Sequence, residues 1–385
     1  MPTLENTLPE QLSGKLHFEL LPLDTLPTLS FKNRIAKQLH LLLYYSGLSS
    51  LYARFRRHPV ATIVMYHSIP APFELDWIDP CNTLSAEAFE EQIRFLASDR
   101  KVVSIDQLIE QLETNQPIRP GTVAVTFDDG YRNNLTVAAP ILAKYNVPAT
   151  IYLATEAITH GYNQWIDTLY SAFRARSRHH LKLPVLQSAQ PSLSEQSTEG
   201  FEWDLQDPGA CRAAYQAITG YLIEAGVEDK QALLAELDAQ LGPTVYPPRL
   251  TLNWDEVRQL QHQYPEITLG VHTANHLDLT THGDQSATEL QSCIAQVTEV
   301  LDTSPHHFAF PYNRYDQQAI AQVKAANLHS AVAAGEDPVV RQGRSCYGLP
   351  RIEGPRSLTM LKSWTNGGFP DLSKFLFRRV WTRPY

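Results

Sequence analysis

A distorted (β/α) barrel with a helical insertion is the fold class this sequence predicts, and two patterns predict it. From His58 onward, short apolar runs rich in β-branched residues alternate with stretches of helical periodicity, the cadence of strand–helix units around a parallel sheet. The runs end near residues 66, 104, 127, 153, 271, 310 and 333, so strands fewer or more distorted than the regular eight are expected. The second pattern is chemical. His67, Asp128, Asp129, His272, His276 and Tyr312 each fall just after one of these runs. Parallel barrels build their sites at the C-terminal ends of the strands, so one fold assumption brings all six together.

Taken in order, residues 1–28 are polar, with several acids and prolines, and lack the charged-then-apolar pattern of a signal peptide. Phe31 to Arg57 is helix-like, with Ile35, Leu39, Leu42, Leu43 and Leu48 as its apolar residues. It carries Lys32, Arg34, Lys37, Arg54, Arg56 and Arg57 and no acid. Lys374 to Trp381 repeats this basic and aromatic character. In an acidic chain the asymmetry points to peripheral membrane contact through residues 31–57 and 374–385. Packing on the barrel with the charges left in water explains the same pattern. Between about 160 and 250 the cadence lapses: Ser188 to Gly200 is rich in Ser, Gln and Glu, and helical patterns follow at Cys211–Glu224 and Lys230–Leu241. This is the expected insertion, a lid or platform. The implied organisation is an arm and amphipathic helix over 1–58, the barrel over 59–365 and a tail over 366–385.

Composition narrows the functional classes. At 385 residues the chain holds one large α/β domain with additions, or two domains. Apolar content of 43% with 19% charged residues is ordinary for a globular protein. A formal net charge of −9 argues against a general nucleic-acid binder, which needs a basic surface to neutralise phosphates. Cys81, Cys211, Cys293 and Cys346 are scattered without metal or redox spacing, which suits a reducing compartment. No stretch approaches the apolar length of a membrane span, so a cytoplasmic location is expected.

The chemistry is carried by three segments. The buried-strand pattern Thr122 to Phe127, after the Pro120-Gly121 turn, runs straight into Asp128-Asp129-Gly130-Tyr131. Two acids at a strand end suffer desolvation and mutual repulsion, so a compensating cation is implied. Read alone, Asp-Asp-Gly is more simply a solvated turn, and the rest of the sequence reverses that reading. The second segment is His272-Thr273-Ala274-Asn275-His276 after the apolar Ile267 to Val271; on a helical turn, imidazoles four apart reach one ion. Two His and one Asp make a three-ligand site for zinc or a similar divalent metal, with a position left for water. The third, His307 to Asn313, runs from apolar residues into a Pro-Tyr turn.

In this order the three segments resemble the polysaccharide deacetylases, the NodB-homology carbohydrate esterases. The resemblance extends to Ile63-Val64-Met65-Tyr66-His67, Phe89 to Leu96, Val102 to Ile105 and Pro148 to Tyr152, and covers roughly residues 60–365. It implies a barrel of the NodB-homology type and metal-assisted removal of N-acetyl groups from amino sugars of a polysaccharide or lipid-linked glycan. By the resemblance, Asp129, His272 and His276 hold the metal, Zn2+ or else Co2+ or Ni2+, while Asp128 is the general base. The backbone N–H of Tyr312 helps to bind the oxyanion.

Two departures stand out. The family's Arg two residues before the proline is Ala309 here, and no histidine follows His329 to supply the late Leu-x-His motif. Both roles are expected to have moved. His67 ends an apolar strand in the same context as the missing histidine and would protonate the leaving amine. Arg351, after Leu349-Pro350, would return a cation to the site. Trp165 offers a sugar-stacking face or core packing, and Asp278 an imidazole partner or an ordinary helix-end acid. Two other readings stand beside the deacetylase. One is a metal hydrolase of a formamide, O-acetyl ester or cyclic amide. The other is an inactive glycan-binding scaffold, which the two departures alone support.

Overall fold

The computed structural model describes residues 42, 45–48, 59–189, 201–335 and 339–366. The basic helix expected over 31–57, the Ser-rich end of the insertion and the tail after 366 therefore lie almost wholly outside the described residues.

Strand β1 (Val60–Tyr66) is buried along its whole length, as its continuous apolar sequence requires of a strand covered on both faces. It pairs in parallel with β3 (Thr122–Phe127) and β11 (Tyr347–Glu353), and this double pairing closes the sheet. The ring runs β1, β3, β4 (Ala149–Leu153), β7 (Ile267–Val271), β8 (His307–Ala309), β9 (Ser330–Ala334) and β11, seven parallel strands. Two short strands, β2 (Lys101–Val102) and β10 (Val340–Arg341), pair outside it on β3 and β1. The distorted parallel barrel is therefore as expected, with one exchange of strands. The run ending near 104 is an outer two-residue strand, and β11 takes its place in the ring. Pro350, which cannot donate to a ladder, and the charged Arg351 disguise β11 in the sequence.

The barrel interior is apolar at its lower end. Ala61, Ile63, Ala124, Tyr152, Ala309, Val332 and Leu349 point inward and meet Ile105, Leu108, Ile109 and Leu112 of the helix Ile105–Glu113, which floors the barrel. A capping box between Ser104 and Gln107 starts that helix. Gly270 on β7 makes room for the Tyr152 ring: a Cβ there would stand 2.6 Å from it and 2.7 Å from the carbonyl oxygen of His307. A larger core lies between the outward strand faces and the surrounding helices.

Between β4 and β7 the chain builds the insertion. Helices Trp165–Arg174, Pro208–Glu224 and Val227–Leu241, with a small antiparallel pair β5 (His180–Lys182) and β6 (Glu202–Asp204), enclose a core of their own. The insertion is thus mainly helical, as expected, with a two-stranded addition that the sequence did not disclose.

Candidate active site and metal centre

Strand register brings the chemistry together at one end of the barrel. Tyr66 pairs with Phe127, so His67 and Asp128 leave the sheet side by side, and the Asp128 N–H donates to the Tyr66 carbonyl at 3.0 Å. Leu153 pairs with Val271, and the His272 N–H donates to the Leu153 carbonyl at 2.9 Å. His67, Asp128 and His272 thus each follow the last residue of a strand.

Asp129, His272 and His276 offer ligand atoms that all lie within 4.8 Å of one another. The Nε2 atoms of His272 and His276 stand 3.6 and 3.4 Å from Asp129 Oδ1. Such distances are long for hydrogen bonds. They fit ligands of a shared ion: two atoms each about 2.1 Å from a tetrahedral zinc stand about 3.4 Å apart. Asp129 Oδ1 is buried with no hydrogen-bond partner, an arrangement that costs free energy unless a cation meets it. Burial, with Asp128 and Asp167 nearby, pushes the Asp129 carboxyl well above its ordinary range, so its ionised form needs a positive neighbour. His272 Nδ1 lies 2.7 Å from the Ala309 carbonyl, which fixes the tautomer with the Nε2 lone pair facing Asp129. Burial lowers both imidazoles, and neutral imidazole is the form that binds a metal. The residues present fit a divalent cation.

The backbone here differs from the expected helical turn. His272 to His276 form a bend, with Thr273 at φ +61° and His276 at φ +52°, and the two rings converge at 4.7 Å between centroids. Asp129 at φ +74° and Tyr312 at φ +55° also occupy the left-handed region. Four non-glycine residues in this region, one of them β-branched, are each strained by about 1–3 kcal/mol and mark the strand ends as a site held by its surroundings.

Asp128 is gripped by Arg351. Nη1 and Nη2 donate to Oδ1 and Oδ2 at 2.7 and 2.6 Å, a two-pronged pair with both side chains buried. Burial alone would raise the Asp128 carboxyl; Arg351, His272 and His67 hold it far below the ordinary carboxylate range instead. The guanidinium also lies over the Tyr152 ring, at 5.6 Å, so the barrel passes upward from floor helix to Tyr152 to Arg351 to Asp128. Ala309, where a cation was missed, lines the apolar interior, and Arg351 enters the same interior from β11. His67 is electrostatically coupled to Asp128, Arg351 and His272, and burial lowers its imidazole to about 4. Tyr312 sits in the turn Pro311–Asn313, with its ring edge-on to His276 at 4.6 Å and tilted against Trp165 at 6.3 Å.

Several residues of the site had no signal in the sequence. Glu289 accepts from both the backbone N–H and the side-chain amide of Asn275, at 2.7 Å each, and so ties down the histidine loop. Gln164 donates to the Asp129 carbonyl at 3.1 Å. Lys230, from the insertion, reaches Tyr312. Asp278 accepts from Thr280 and from Arg314 rather than from a ligand imidazole, and it is a buried loop residue before the helix Asp284–Leu301, so neither the imidazole-partner nor the helix-end expectation describes it.

The sequence profile of the polysaccharide deacetylases matches residues 115–204 and 209–331, more than half of the chain. The chain belongs to the polysaccharide deacetylase family. The family is one of hydrolases that generally depend on a divalent metal and act on acetylated glycans; the chain spans a third of the length of the curated relative it matches. Residues 115–331 hold Asp128, Asp129, His272, His276 and Tyr312; His67 and Arg351 both lie outside the matched segments. YxkH of Bacillus subtilis (strain 168), which bears a polysaccharide deacetylase name, is 32% identical over 100 residues, 26% of this chain and 33% of its own length. Two solved structures share the fold. The Streptococcus pyogenes deacetylase PplD in complex with acetate aligns with a TM-score of 0.50 at 16% identity, covering 79% of this chain and 98% of its own. IcaB from Ammonifex degensii aligns with a TM-score of 0.50 at 14% identity, over 80% and 98%.

Proposed function

We propose that this polysaccharide deacetylase family member hydrolyses the N-acetyl group of an amino sugar in a polysaccharide or lipid-linked glycan, with a divalent cation, most simply Zn2+, as its cofactor. One observation carries the reading: the partnerless Oδ1 of Asp129 faces two neutral imidazoles beside a carboxylate that an arginine keeps ionised.

Asp129, His272 and His276 would hold the cation. Bound there, it polarises the acyl carbonyl and lowers the pKa of an attacking water toward about 7. Asp128, next in the chain but turned toward Arg351, stays ionised and takes the water's proton as general base. Arg351 fixes the direction of that carboxylate, since a bidentate fork leaves one orientation. The backbone N–H of Tyr312 would donate to the oxyanion. His67, neutral at rest and adjacent to Asp128, would carry the proton delivered to the leaving nitrogen. Arg351 against Asp128 also speaks against one of the two grounds for the inactive-scaffold reading, the missing arginine at Ala309.

The wider reading keeps the barrel over 59–365 as the catalytic unit and 160–250 as its insertion. It also keeps the expected cytoplasmic location, which rests on the sequence patterns of the first 28 residues, the lengths of the apolar stretches and the scattered cysteines. Among the described residues no helix is long and apolar enough to cross a membrane; a liposome pull-down with and without residues 1–57 tests surface contact.

The test is metal content of purified, tag-free protein beside a His272→Ala, His276→Ala variant, followed by acetate release from N-acetylglucosamine oligomers. About one ion per chain, lost in the variant, together with acetate release supports the reading. No ion after adding back zinc, cobalt or nickel would sink it. Ion binding with release from formamides or O-acetyl esters alone would move it to the neighbouring hydrolase class.

A further inference from the structure

Lys230 has no place in the mechanism above, yet with Arg351 it is one of the two buried lysine or arginine residues among the described residues, at 5% exposure. It stands on the insertion helix Val227–Leu241, far in sequence from every motif. Its ammonium donates to the Tyr312 hydroxyl at 3.0 Å and approaches the carbonyl oxygen of His276 at 3.5 Å. It lies over the rings of Trp165 and Tyr312, at 5.9 and 5.4 Å from their centroids. Among the described residues no carboxylate pairs with it; Glu289 and Asp278 act on it only at longer range. Those two are engaged elsewhere, Glu289 with Asn275 and Asp278 with Thr280 and Arg314.

Burying an ammonium without an ion-pair partner is costly, and ordering a lysine side chain adds about 1.5–2 kcal/mol of lost rotamer freedom. A lysine that only held the insertion down would be replaced without loss by an apolar residue. What this one does is join three separate segments at one point: the insertion helix, the end of the histidine loop and the Pro-Tyr turn. The turn needs such a hold, because Tyr312 and Asn313 both take left-handed backbone angles, at φ +55° and +57°. The Tyr312 ring in turn rests edge-on against His276.

We propose that Lys230 is a positioning residue for the deacetylation, holding the Tyr312 hydroxyl so that the strained turn keeps its backbone N–H on the acyl oxygen. The inference rests on the deacetylase reading. It makes the insertion part of the reacting geometry rather than a cover over it. The Arg314 ion pair to Glu224 of the helix Pro208–Glu224, at 2.6 Å, also ties this turn to the insertion, and its pair to Asp278, at 3.2 Å, ties it to the chain just after His276.

The test compares wild type, Lys230→Met, Lys230→Arg, Tyr312→Phe and the Lys230→Met, Tyr312→Phe double variant in acetate release, metal content and thermal midpoint. Lys230→Met is expected to lower kcat by about ten- to a hundredfold while KM and bound metal stay within threefold. Tyr312→Phe should show the same split, because it removes the same hydrogen bond, together with the one Trp165 makes to that hydroxyl. The double variant should be no slower than the slower single one, and Lys230→Arg should recover part of the rate. Should Lys230→Met fail to fold, Tyr312→Phe and Lys230→Arg still decide. Effects that multiply, or an unchanged kcat in an active wild type, overturn this inference alone. A wild type that binds metal but releases no acetate overturns the deacetylase reading and this inference with it.

Discussion

The two ends of the barrel carry the same residue types to opposite purposes. At the floor, His307 opens β8 and Ser330 opens β9, and Asp106 stands on the floor helix. His307 Nδ1 meets Ser330 Oγ at 2.9 Å, its Nε2 meets Asp106 Oδ1 at 2.8 Å, and Thr268 donates to Asp106 Oδ2 at 3.2 Å. Hydrogen bonding to His307 keeps the Asp106 carboxyl low, against its partial burial. A Ser, a His and an Asp in contact suggest nucleophilic chemistry, but each polar atom there is answered by another and both Ser330 and His307 are buried. At the rim, Asp129 Oδ1 and His276 Nδ1 are buried with no answering atom. The contrast teaches that residue identity does not separate a structural cluster from a reactive one. Unanswered polarity on converging ligand-type side chains does; single unanswered atoms, such as the Thr150 and Tyr152 hydroxyls, occur elsewhere in the fold without such convergence.

The strongest way to break this comparison is to empty the rim. His272→Ala with His276→Ala is expected to lose the metal and at least about a thousandfold in acetate release, beyond the ten- to hundredfold typical of an outer partner. The metal-free thermal midpoint should hold or rise, since two desolvated imidazoles are gone. A steep fall in that midpoint would make the rim a structural cluster like the floor.

Arg351 comes next. Arg351→Met leaves Asp128 buried and unpaired, which is expected to cost about 3–5 kcal/mol in urea unfolding and to lower kcat as well. Adding Asp128→Asn should return much of that stability and none of the activity. If Arg351→Met alone were as stable as wild type, the pair would not be the buried couple the geometry describes.

Much of this was legible in the sequence, and the residues explain which part. Asp128, Asp129, His272 and His276 were found because strand ends, chemistry and spacing coincide in short windows. Arg351 was found only through the absence at Ala309, and its strand was not, because Pro350 and a charge interrupt the apolar pattern that identifies barrel strands. The histidine loop was expected as a helical turn; spacing of four gives the same convergence when Thr273 and His276 take left-handed angles, and spacing alone does not distinguish the two. Lys230 and Gln164 were invisible because their roles depend on how the insertion folds back over the rim, and Glu289 because it reaches Asn275 from the helix Asp284–Leu301, contacts with no local pattern.

Beneath the insertion lies a third cluster, which sharpens the comparison through pH. Tyr131 donates to Asp167 Oδ2 at 2.7 Å, the Asp79 N–H donates to Asp167 Oδ1 at 3.0 Å, and Tyr215 bonds Asp79. Burial raises the Asp167 carboxyl from 3.8 to about 7, against the two donors that favour its charge. The folded state therefore holds a proton that the unfolded chain gives up, and stability falls as pH rises from about 4 to about 7 and is level above. The change is at most about 4 kcal/mol at 1.4 kcal/mol per pKa unit. Thermal midpoints across that range should show the decline, and Asp167→Asn should flatten it. A decline unchanged in the variant would assign it to another carboxyl.

The smallest effect belongs to the floor, and it is the one that closes the argument. Asp106→Asn keeps an acceptor for Thr268 and an amide for His307, so it should cost about 1 kcal/mol, the net value of an ordinary hydrogen bond. Ser330→Ala, removing a hydroxyl that only His307 engages, should cost a similar amount. Neither should change kcat, KM or metal content, since the apolar layer of Ala309, Val332 and Tyr152 and the buried Arg351 stand between floor and rim. A folded Ser330→Ala protein that lost activity would show that the floor speaks to the rim through His307 and β8, whose end at Ala309 orients His272 through its carbonyl. The route exists in the backbone. The expectation of silence rests on β8 being held on both edges, by β7 and β9, so that a lost hydroxyl at its start leaves its end in place.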